Sequence, residues 1–320
     1  MSALLGNVHE SLTTFWHPVA WSREVASTMP VRLLNRHLLL ARDRAGVVHA
    51  FDDECPHRGA PLSAGTCAGD ELICAFHGWR FGMDGVATLI PALGHGATLP
   101  PRARLGAPAA VCERHGLVWV ALDSPRADIP DWPDGDDDTL GAFSPTAHTS
   151  AVLAAYQTDN LLDTSHFGFL HPSLAHRNPL IGQHAVVEQT EFGFKTSLAK
   201  LADDDASVEG WLRYTYAAPF TVLLRSEEPD GRLRQSFFQA IQPIDDTMTR
   251  LFFMVRVPET EPDVLAELLA AEEQVQREDL WITAQQRRTG MAVVGGSDLH
   301  VRSDRNGVLY RQVMRHVMGQ

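Results

Sequence analysis

The stretch Cys55-Pro56-His57-Arg58-Gly59-Ala60 is followed, after thirteen further residues, by Cys74-Ala75-Phe76-His77-Gly78-Trp79. Each stretch places one cysteine and one histidine beside a glycine, the composition of a tight loop that presents metal ligands. The candidate ligands are Cys55, His57, Cys74 and His77.

Two cysteines and two histidines are compatible with two kinds of metal centre. One is a structural zinc with Cys₂His₂ ligation, and the other is a Rieske [2Fe–2S] cluster, in which two thiolates bind one iron and two imidazoles the other. A zinc finger usually has both cysteines in one arm and both histidines in the other. Here each arm carries one of each, an arrangement that suits two loops clamping a two-iron cluster and leaves zinc as the alternative.

Both stretches resemble the cluster-binding loops of Rieske oxygenases and Rieske ferredoxins. The cytochrome bc₁ type has an additional cysteine in each loop, which this sequence lacks at Pro56–Gly59 and Ala75–Gly78. The resemblance therefore favours the oxygenase and ferredoxin branches. Imidazole ligation raises the potential of the cluster above that of an all-cysteine cluster.

Composition limits the possible functions. The chain has 320 residues, enough for two domains, and its 44% hydrophobic and 21% charged content is that of an ordinary globular protein. A formal net charge of −13 argues against nucleic acid as a partner, because phosphate binding requires a basic surface.

We predict that Cys67 and Cys112 are buried thiols and that the protein is cytoplasmic, since cluster assembly needs reduced cysteines. We expect no signal peptide and no membrane span.

The order of short and long hydrophobic segments predicts two domains and an α+β fold. Short strands with frequent turns, including a hairpin around Asn35-Arg36, indicate an N-terminal all-β Rieske domain over residues 1–125. Residues 126–145, with three prolines and the acidic run Asp134–Asp138, are predicted to be a linker. Residues 146–320 form the second domain, in which long alternating strands precede a long helix at 262–288 and a final amphipathic helix at 307–318.

A second group of polar residues follows the predicted linker. Residues 159–172 contain Asn160, Asp163, His166 and His171, and the first half of this segment is compatible with a helix. Pro172 disfavours the helical conformation at His171, so we expect a distortion that lets both imidazoles reach one ion. Downstream of a Rieske motif, Asn-x-x-Asp-x-x-His-x₄-His resembles the mononuclear iron signature of Rieske non-haem oxygenases.

Such an iron needs a carboxylate as its third ligand, so that open positions remain for O₂. Candidates lie on the helix at 262–288, where Val275, Asp279 and Ile282 share an apolar stripe. Glu272 shares part of the stripe, and geometry leaves both carboxylates open. The family resemblance selects Asp279, because Glu278-Asp279 resembles the segment whose aspartate binds iron. We expect Glu267, Glu273 and Glu278 to face solvent.

The resemblance covers nearly the whole chain and implies a fold and a function. It implies a second domain of the helix-grip (START-like) type, an antiparallel sheet with a long helix. A separate flavin- and iron–sulfur-containing reductase, or a ferredoxin, would supply electrons from NAD(P)H to the [2Fe–2S] cluster and then to mononuclear Fe(II). In the implied homotrimer, electrons cross between subunits through Asp163.

The chain length resembles that of the vanillate O-demethylase and dicamba monooxygenase group. We therefore expect demethylation or hydroxylation of a small aromatic substrate, in particular an aromatic acid. Three alternatives remain open: a Rieske ring-hydroxylating dioxygenase, a Rieske electron-transfer protein without oxygenase activity, and a zinc-stabilised ligand-binding protein.

Overall fold

A computed structural model describes residues 3–172, 185–201 and 208–320. The strands of the first half are β1 (Ala3–Leu5), β2 (His17–Trp21), β3 (Thr28–Leu33), β4 (Arg36–Arg42), β5 (Val48–Asp52), β6 (Thr66–Ala68), β7 (Glu71–Ile73), β8 (Arg80–Gly82), β9 (Ala87–Leu89), β10 (Ala110–Arg114) and β11 (Leu117–Ala121). Those of the second half are β12 (Gly141–Phe143), β13 (His148–Ser150), β14 (Ala185–Thr190), β15 (Gly193–Leu201), β16 (Val208–Ala217), β17 (Thr221–Glu227), β18 (Leu233–Pro243), β19 (Thr249–Val257) and β20 (Met291–Val294).

The α-helices are α1 (Ala154–Leu162), α2 (Phe167–Leu170), α3 (Pro262–Ala284) and α4 (Arg305–Val317). Short 3₁₀ helices are Glu10–Thr14, Ser22–Glu24, Leu62–Ala64, Pro91–Leu93, Pro133–Asp136 and Arg302–Asp304. No helix in the described part of the chain is long and apolar enough to cross a membrane.

The chain divides into two compact units, Thr13–Asp128 and Met1–Leu12 with Ile129–Gln320. The first unit is built from three small antiparallel sheets, ordered β10-β11-β2, β3-β4-β5 and β6-β7-β8-β9. The β3–β4 hairpin turns at Leu34 and Asn35, one residue earlier than predicted, because both take positive φ, as a two-residue type I′ turn requires. Cys67 and Cys112 are half-buried free thiols rather than fully buried ones.

The second unit is built on an antiparallel sheet of eight strands. Seven of them run in the order β12-β19-β18-β17-β16-β15-β14, and β13 pairs with the far end of β19. Phe143, Phe253 and Val255 pack with Leu268 and Leu269 of α3, so the helix covers this part of the sheet. Helix α1 contacts α3, α4 and the strands β17 and β18. An antiparallel sheet covered by a long helix, next to an all-β unit, confirms the predicted α+β fold class.

Two predicted boundaries differ from the compact units. Residues 1–12 belong to the second unit, because β1 pairs with β20 and Leu5 is fully buried. The predicted linker is folded from residue 129 onward, where Trp132 is buried and donates from Nε1 to Ser236 Oγ at 2.9 Å. Asp134, at the start of the acidic run, pairs with Arg225. This arginine offsets part of the charge repulsion on which the linker prediction relied.

Candidate functional site

The two loops of the first unit have the same backbone design. In each loop, the glycine four residues after the cysteine donates its N–H to the cysteine carbonyl, at 2.9 Å for Gly59 and 3.0 Å for Gly78. The cysteine N–H in turn donates to the carbonyl five residues later, at 2.8 and 2.9 Å. Both glycines have φ near +70°, a conformation that a side chain would strain.

The four candidate cluster ligands divide into a buried and an exposed pair. Cys55 and Cys74 lie in the hydrophobic core, 1% and 2% exposed, whereas His57 and His77 are exposed at the loop tips. The two imidazole rings have centroids 4.6 Å apart, and Trp79 stacks on His57. Burial, followed by the adjacent Cys74 thiol, raises the pKa of Cys55. Paired thiols beneath paired imidazoles fit the donor set of a Rieske cluster.

The second unit contains a separate group of potential metal ligands. Nε2 of His166 and Nε2 of His171 lie 3.5 and 3.3 Å from Oδ1 of Asp279. All three atoms are buried and have no hydrogen-bond partner. Leaving buried polar atoms unpartnered costs free energy, and a divalent cation between them would remove that cost. Two imidazoles and one carboxylate form the donor set of a non-haem Fe(II) site with open positions.

Both histidines are brought to this site by an interrupted helix. Helix α1 ends at Leu162 because Asp163 takes an extended conformation, so the helix predicted through residue 167 stops earlier. A single turn, α2, then separates His166 from His171. His171 is extended, with φ −102° and ψ 103°, the restriction expected before Pro172.

Each histidine is oriented by a carboxylate on its other ring nitrogen. His166 donates from Nδ1 to Asp163 Oδ2 at 3.0 Å, and His171 donates from Nδ1 to Glu278 Oε2 at 2.9 Å. Carboxylates can only accept, so both rings hold Nδ1–H and direct Nε2 toward Asp279. Glu278 was predicted to face solvent; that prediction was wrong, because α3 presents two successive residues, Glu278 and Asp279, to the same imidazole.

The three candidate iron ligands polarise one another strongly. Burial lowers the pKa of His166, but its hydrogen bond to Asp163 and its contact with Asp279 outweigh burial and raise the pKa to about 9. Burial raises the pKa of Asp279, and His166 and His171 reverse that effect, so that it lies below its usual value. A cation at this site would have to displace the Nε2 protons, because a ligating imidazole must be neutral at that nitrogen.

A cavity of about 300 Å³ opens beside the three ligands. Helix α3 contributes one continuous face to it, and β18 contributes alternate residues, as their respective periodicities of 3.6 and 2 require. The α3 residues are Leu268, Ala271, Glu272, Val275, Gln276 and Asp279, and those of β18 are Gln235, Phe237 and Gln239. Ile282, predicted on the same stripe, is instead partly exposed. An organic molecule in this cavity would lie next to the three candidate iron ligands.

Glu272 was the other carboxylate that the sequence left open as an iron ligand. It lines the cavity but is not among the three residues whose ligand atoms converge. Burial, and then the negative charge of Asp279, raise the pKa of Glu272 to about 7. It is therefore a carboxyl group that is easily protonated and faces the space where a substrate would lie.

The raised pKa of Glu272 predicts a pH-dependent loss of stability. The folded chain holds this proton up to about pH 7, whereas the unfolded chain releases it near pH 4.5, the ordinary pKa of a glutamate. Stability therefore falls as pH rises through this interval. Glu272→Gln should raise the free energy of unfolding by about 2 kcal/mol at pH 8 and by less at pH 5.

Urea unfolding at the two pH values measures this difference. The protein is first stripped of its mononuclear iron, because bound iron would partly neutralise the negative charge of Asp279 that raises the pKa of Glu272. Glu267→Gln, at an exposed position of α3, is the matched control and should show no pH-dependent gain. An equal gain at both pH values would contradict the assignment of the raised pKa to Glu272.

The remaining predicted site residues lie on a different cavity. Asn160 and Asp163 line a surface cavity of about 560 Å³ between α1, α4 and the segment that follows β20. The side chain of Asp163 is 35% exposed, and its Oδ1 accepts the Ser165 N–H at 2.9 Å. Asn160 is close enough to Asp279 to help lower the pKa of that carboxyl. Asp163 thus connects His166, a candidate iron ligand, to the surface.

Comparison with known proteins gives the family. Residues 15–101 match the Rieske [2Fe-2S] domain, and residues 153–319 match the vanillate O-demethylase oxygenase C-terminal domain. Methylxanthine N1-demethylase NdmA of Pseudomonas putida is 30% identical over 267 residues, covering 79% of this chain and 75% of that protein.

Solved structures give the same result. NdmB of Pseudomonas putida CBB5 superposes with a TM-score of 0.84 and 26% identity, covering 98% of this chain and 93% of that one. Dicamba monooxygenase bound to dicamba shares the fold, with a TM-score of 0.79, 20% identity and coverage of 96% and 97%. The chain belongs to the Rieske non-haem iron oxygenases whose catalytic domain is of the vanillate O-demethylase type.

Proposed function

We propose that Cys55, His57, Cys74 and His77 bind the [2Fe–2S] cluster, and that His166, His171 and Asp279 bind the mononuclear iron. The observation that carries the second assignment is the convergence of three buried ligand atoms that have no hydrogen-bond partner and lie within 4.8 Å of one another. A Rieske electron carrier without oxygenase activity would have no need of this second group. We also propose two domains, with the domain boundary at residues 128–129, where the two compact units divide.

As a Rieske oxygenase component, the chain uses O₂ and receives its electrons from a separate reductase or ferredoxin. When bound, the iron supplies an O₂-activating centre. The chain's own residues hold that centre and the substrate together. Asp163 and Glu278 orient the two imidazoles, and the cavity beside Asp279 holds a small aromatic molecule and excludes water.

We propose that the reaction is demethylation. The relatives named as demethylases support this choice, as does a cavity that meets the iron ligands at one end. Such a reaction consumes one O₂, two electrons and two protons, and it releases the demethylated product, formaldehyde and water. Ring dihydroxylation, the alternative, would consume the same electrons and retain both oxygen atoms in the product.

The path of the electrons is proposed to cross between copies of the chain in a homotrimer. The exposed His57 and His77 of one copy would dock into the surface cavity of another, where Asp163 is accessible. Asp163 would then link a cluster histidine of one copy to His166 of the next. We further propose a cytoplasmic location, because the four described cysteines are free thiols and a reducing compartment keeps them so.

The experiment that tests the proposed reaction is turnover with a surrogate reductase, NADH and O₂ on a panel of N-methylated and methoxylated aromatics. Formaldehyde equal to the substrate consumed is the expected result. A hydroxylated product without formaldehyde would make the enzyme a hydroxylase, and a cis-diol would make it a dioxygenase. NADH consumption with no organic product across the panel would contradict the demethylase assignment.

A further inference from the structure

The cavity beside the iron ligands has a chemical character that narrows the substrate class, an inference that rests on the proposed function. Leu212, Leu224, Phe237 and Phe253 give it apolar walls suited to an aromatic ring. Besides Ser226 and the three candidate iron ligands, the polar groups set into these walls are the amide side chains of four glutamines and one further carboxyl group. These polar residues are Gln157, Gln235, Gln239, Gln276 and Glu272.

Two of the amides are buried and unsatisfied. Gln239 is 2% exposed and Gln276 is 3% exposed, and Nε2 of each has no hydrogen-bond partner. They approach the cavity from opposite sides, one from β18 and the other from α3. A buried amide N–H without an acceptor destabilises the protein, because it has lost its hydrogen bonds to water. A ligand carbonyl or ring nitrogen on each side would supply the missing acceptors.

A third amide lies against α3. Thr283 Oγ1 lies 2.6 Å from the Asp279 carbonyl and 3.2 Å from Gln157 Oε1, and its one hydroxyl proton can be donated to either oxygen. The Gln157 amide is thereby placed beside the turn of α3 that carries a candidate iron ligand. A substrate contacting Gln157 would therefore lie close to this turn.

Apart from the two candidate iron histidines, the described lining offers no cationic side chain to an anionic substrate. None of the described residues that line the cavity is an arginine or a lysine. Buried carboxylates are normally recognised by paired arginine or lysine donors, and an unpaired one is strongly disfavoured. Here a substrate carboxylate would instead face Glu272. The aromatic acid that the sequence suggested is therefore a poor match for the lining.

We propose that this cavity selects uncharged aromatic or heteroaromatic compounds that carry carbonyl and N–H groups, such as amides, imides and lactams. Gln239 and Gln276 donate to the substrate's acceptors, and Glu272 accepts from its N–H. All three are specificity-determining residues, and the apolar walls hold the ring. Ring compounds that differ only in replacing a carboxamide by a carboxylate should thus be distinguished by this site.

The test uses matched pairs of ligands and the iron-loaded holoprotein. Equilibrium dialysis at pH 8 measures the dissociation constants of 3- and 4-methoxybenzamide against 3- and 4-methoxybenzoate, with formaldehyde release measured in parallel. We expect each amide to bind at least about tenfold more tightly than its carboxylate. Gln239→Leu and Gln276→Leu should each weaken amide binding by about tenfold, at unchanged iron content. Glu272→Gln should improve carboxylate binding and so reduce the ratio between the dissociation constants of the carboxylates and the amides.

Matched controls separate this effect from general damage. Gln312→Leu, exposed on α4, and Glu267→Gln, exposed on α3, should leave the preference unchanged. Carboxylates that bind as tightly as the amides, or amides that do not bind, would overturn the inference. A preference for amides without formaldehyde would leave the cavity assignment standing and refute demethylation. Formaldehyde released from the carboxylates alone would support demethylation and refute the proposed preference of the cavity for amides.

Discussion

Replacing Asp279 by alanine should abolish turnover and remove the mononuclear iron, while the Rieske cluster remains. Oδ1 of Asp279 is the atom that both imidazoles approach, and the two histidines alone would leave an incomplete donor set. The cluster is unaffected because its ligands belong to the other compact unit. Iron analysis should find about one iron atom fewer per chain, with the visible absorption of the cluster unchanged.

Two variants on the same helix provide controls. Glu267→Ala removes an exposed carboxylate and should retain all of the iron. Glu272→Gln tests the other carboxylate that the helical pattern allowed as the third ligand. This variant too should retain iron, because the Glu272 side chain lies outside the converging group. Iron lost from Glu272→Gln but kept in Asp279→Ala would show that the third ligand had been assigned to the wrong turn of α3.

Replacing Asp163 by asparagine should slow reoxidation of the reduced cluster by about 100-fold without removing either metal centre. The asparagine can still accept the Ser165 N–H through its side-chain oxygen, so the local turn is preserved. What it loses is the carboxylate that accepts from His166 and, in the proposed trimer, from a cluster histidine of the neighbouring copy. Stopped-flow absorption of the pre-reduced enzyme mixed with O₂ and substrate measures this rate.

The control for Asp163 is another aspartate in the same local geometry. Asp230 accepts the N–H of the residue two positions later, Arg232, at 3.1 Å, as Asp163 does with Ser165, but it lies on a turn away from both cavities. Asp230→Asn should reoxidise at the wild-type rate. An unchanged rate in Asp163→Asn would exclude the bridging role. If Asp163→Asn lost its mononuclear iron, the role of Asp163 would be to orient His166 for iron binding and not to carry electrons between copies.

Much of the cluster site could be predicted because its ligands are local in sequence. Five-residue loops that begin at Cys55 and Cys74 and end at a glycine with positive φ bring a thiol and an imidazole together wherever the loops lie. The same holds for His171, whose extended conformation follows from Pro172. The turn of the β3–β4 hairpin was misplaced by one residue, because Leu34 is not a residue that usually adopts positive φ.

The sequence by itself determined the α+β fold class and the family, and it predicted the ligand types and their pairing into two metal centres. These depend on spacing within short segments, where backbone geometry leaves few alternatives. Residue spacing left Asp279 and Glu272 open, the family resemblance selected Asp279, and the structure places Asp279 but not Glu272 among the converging ligand atoms. Tertiary structure decided the partnership of Glu278 with His171 and the amide lining of the cavity. It also joined residues 1–12 and 129–145 to the second unit. These features depend on contacts between residues that lie more than a hundred positions apart in the chain. Such contacts are set by how the helices and strands pack together, which short segments of sequence do not specify.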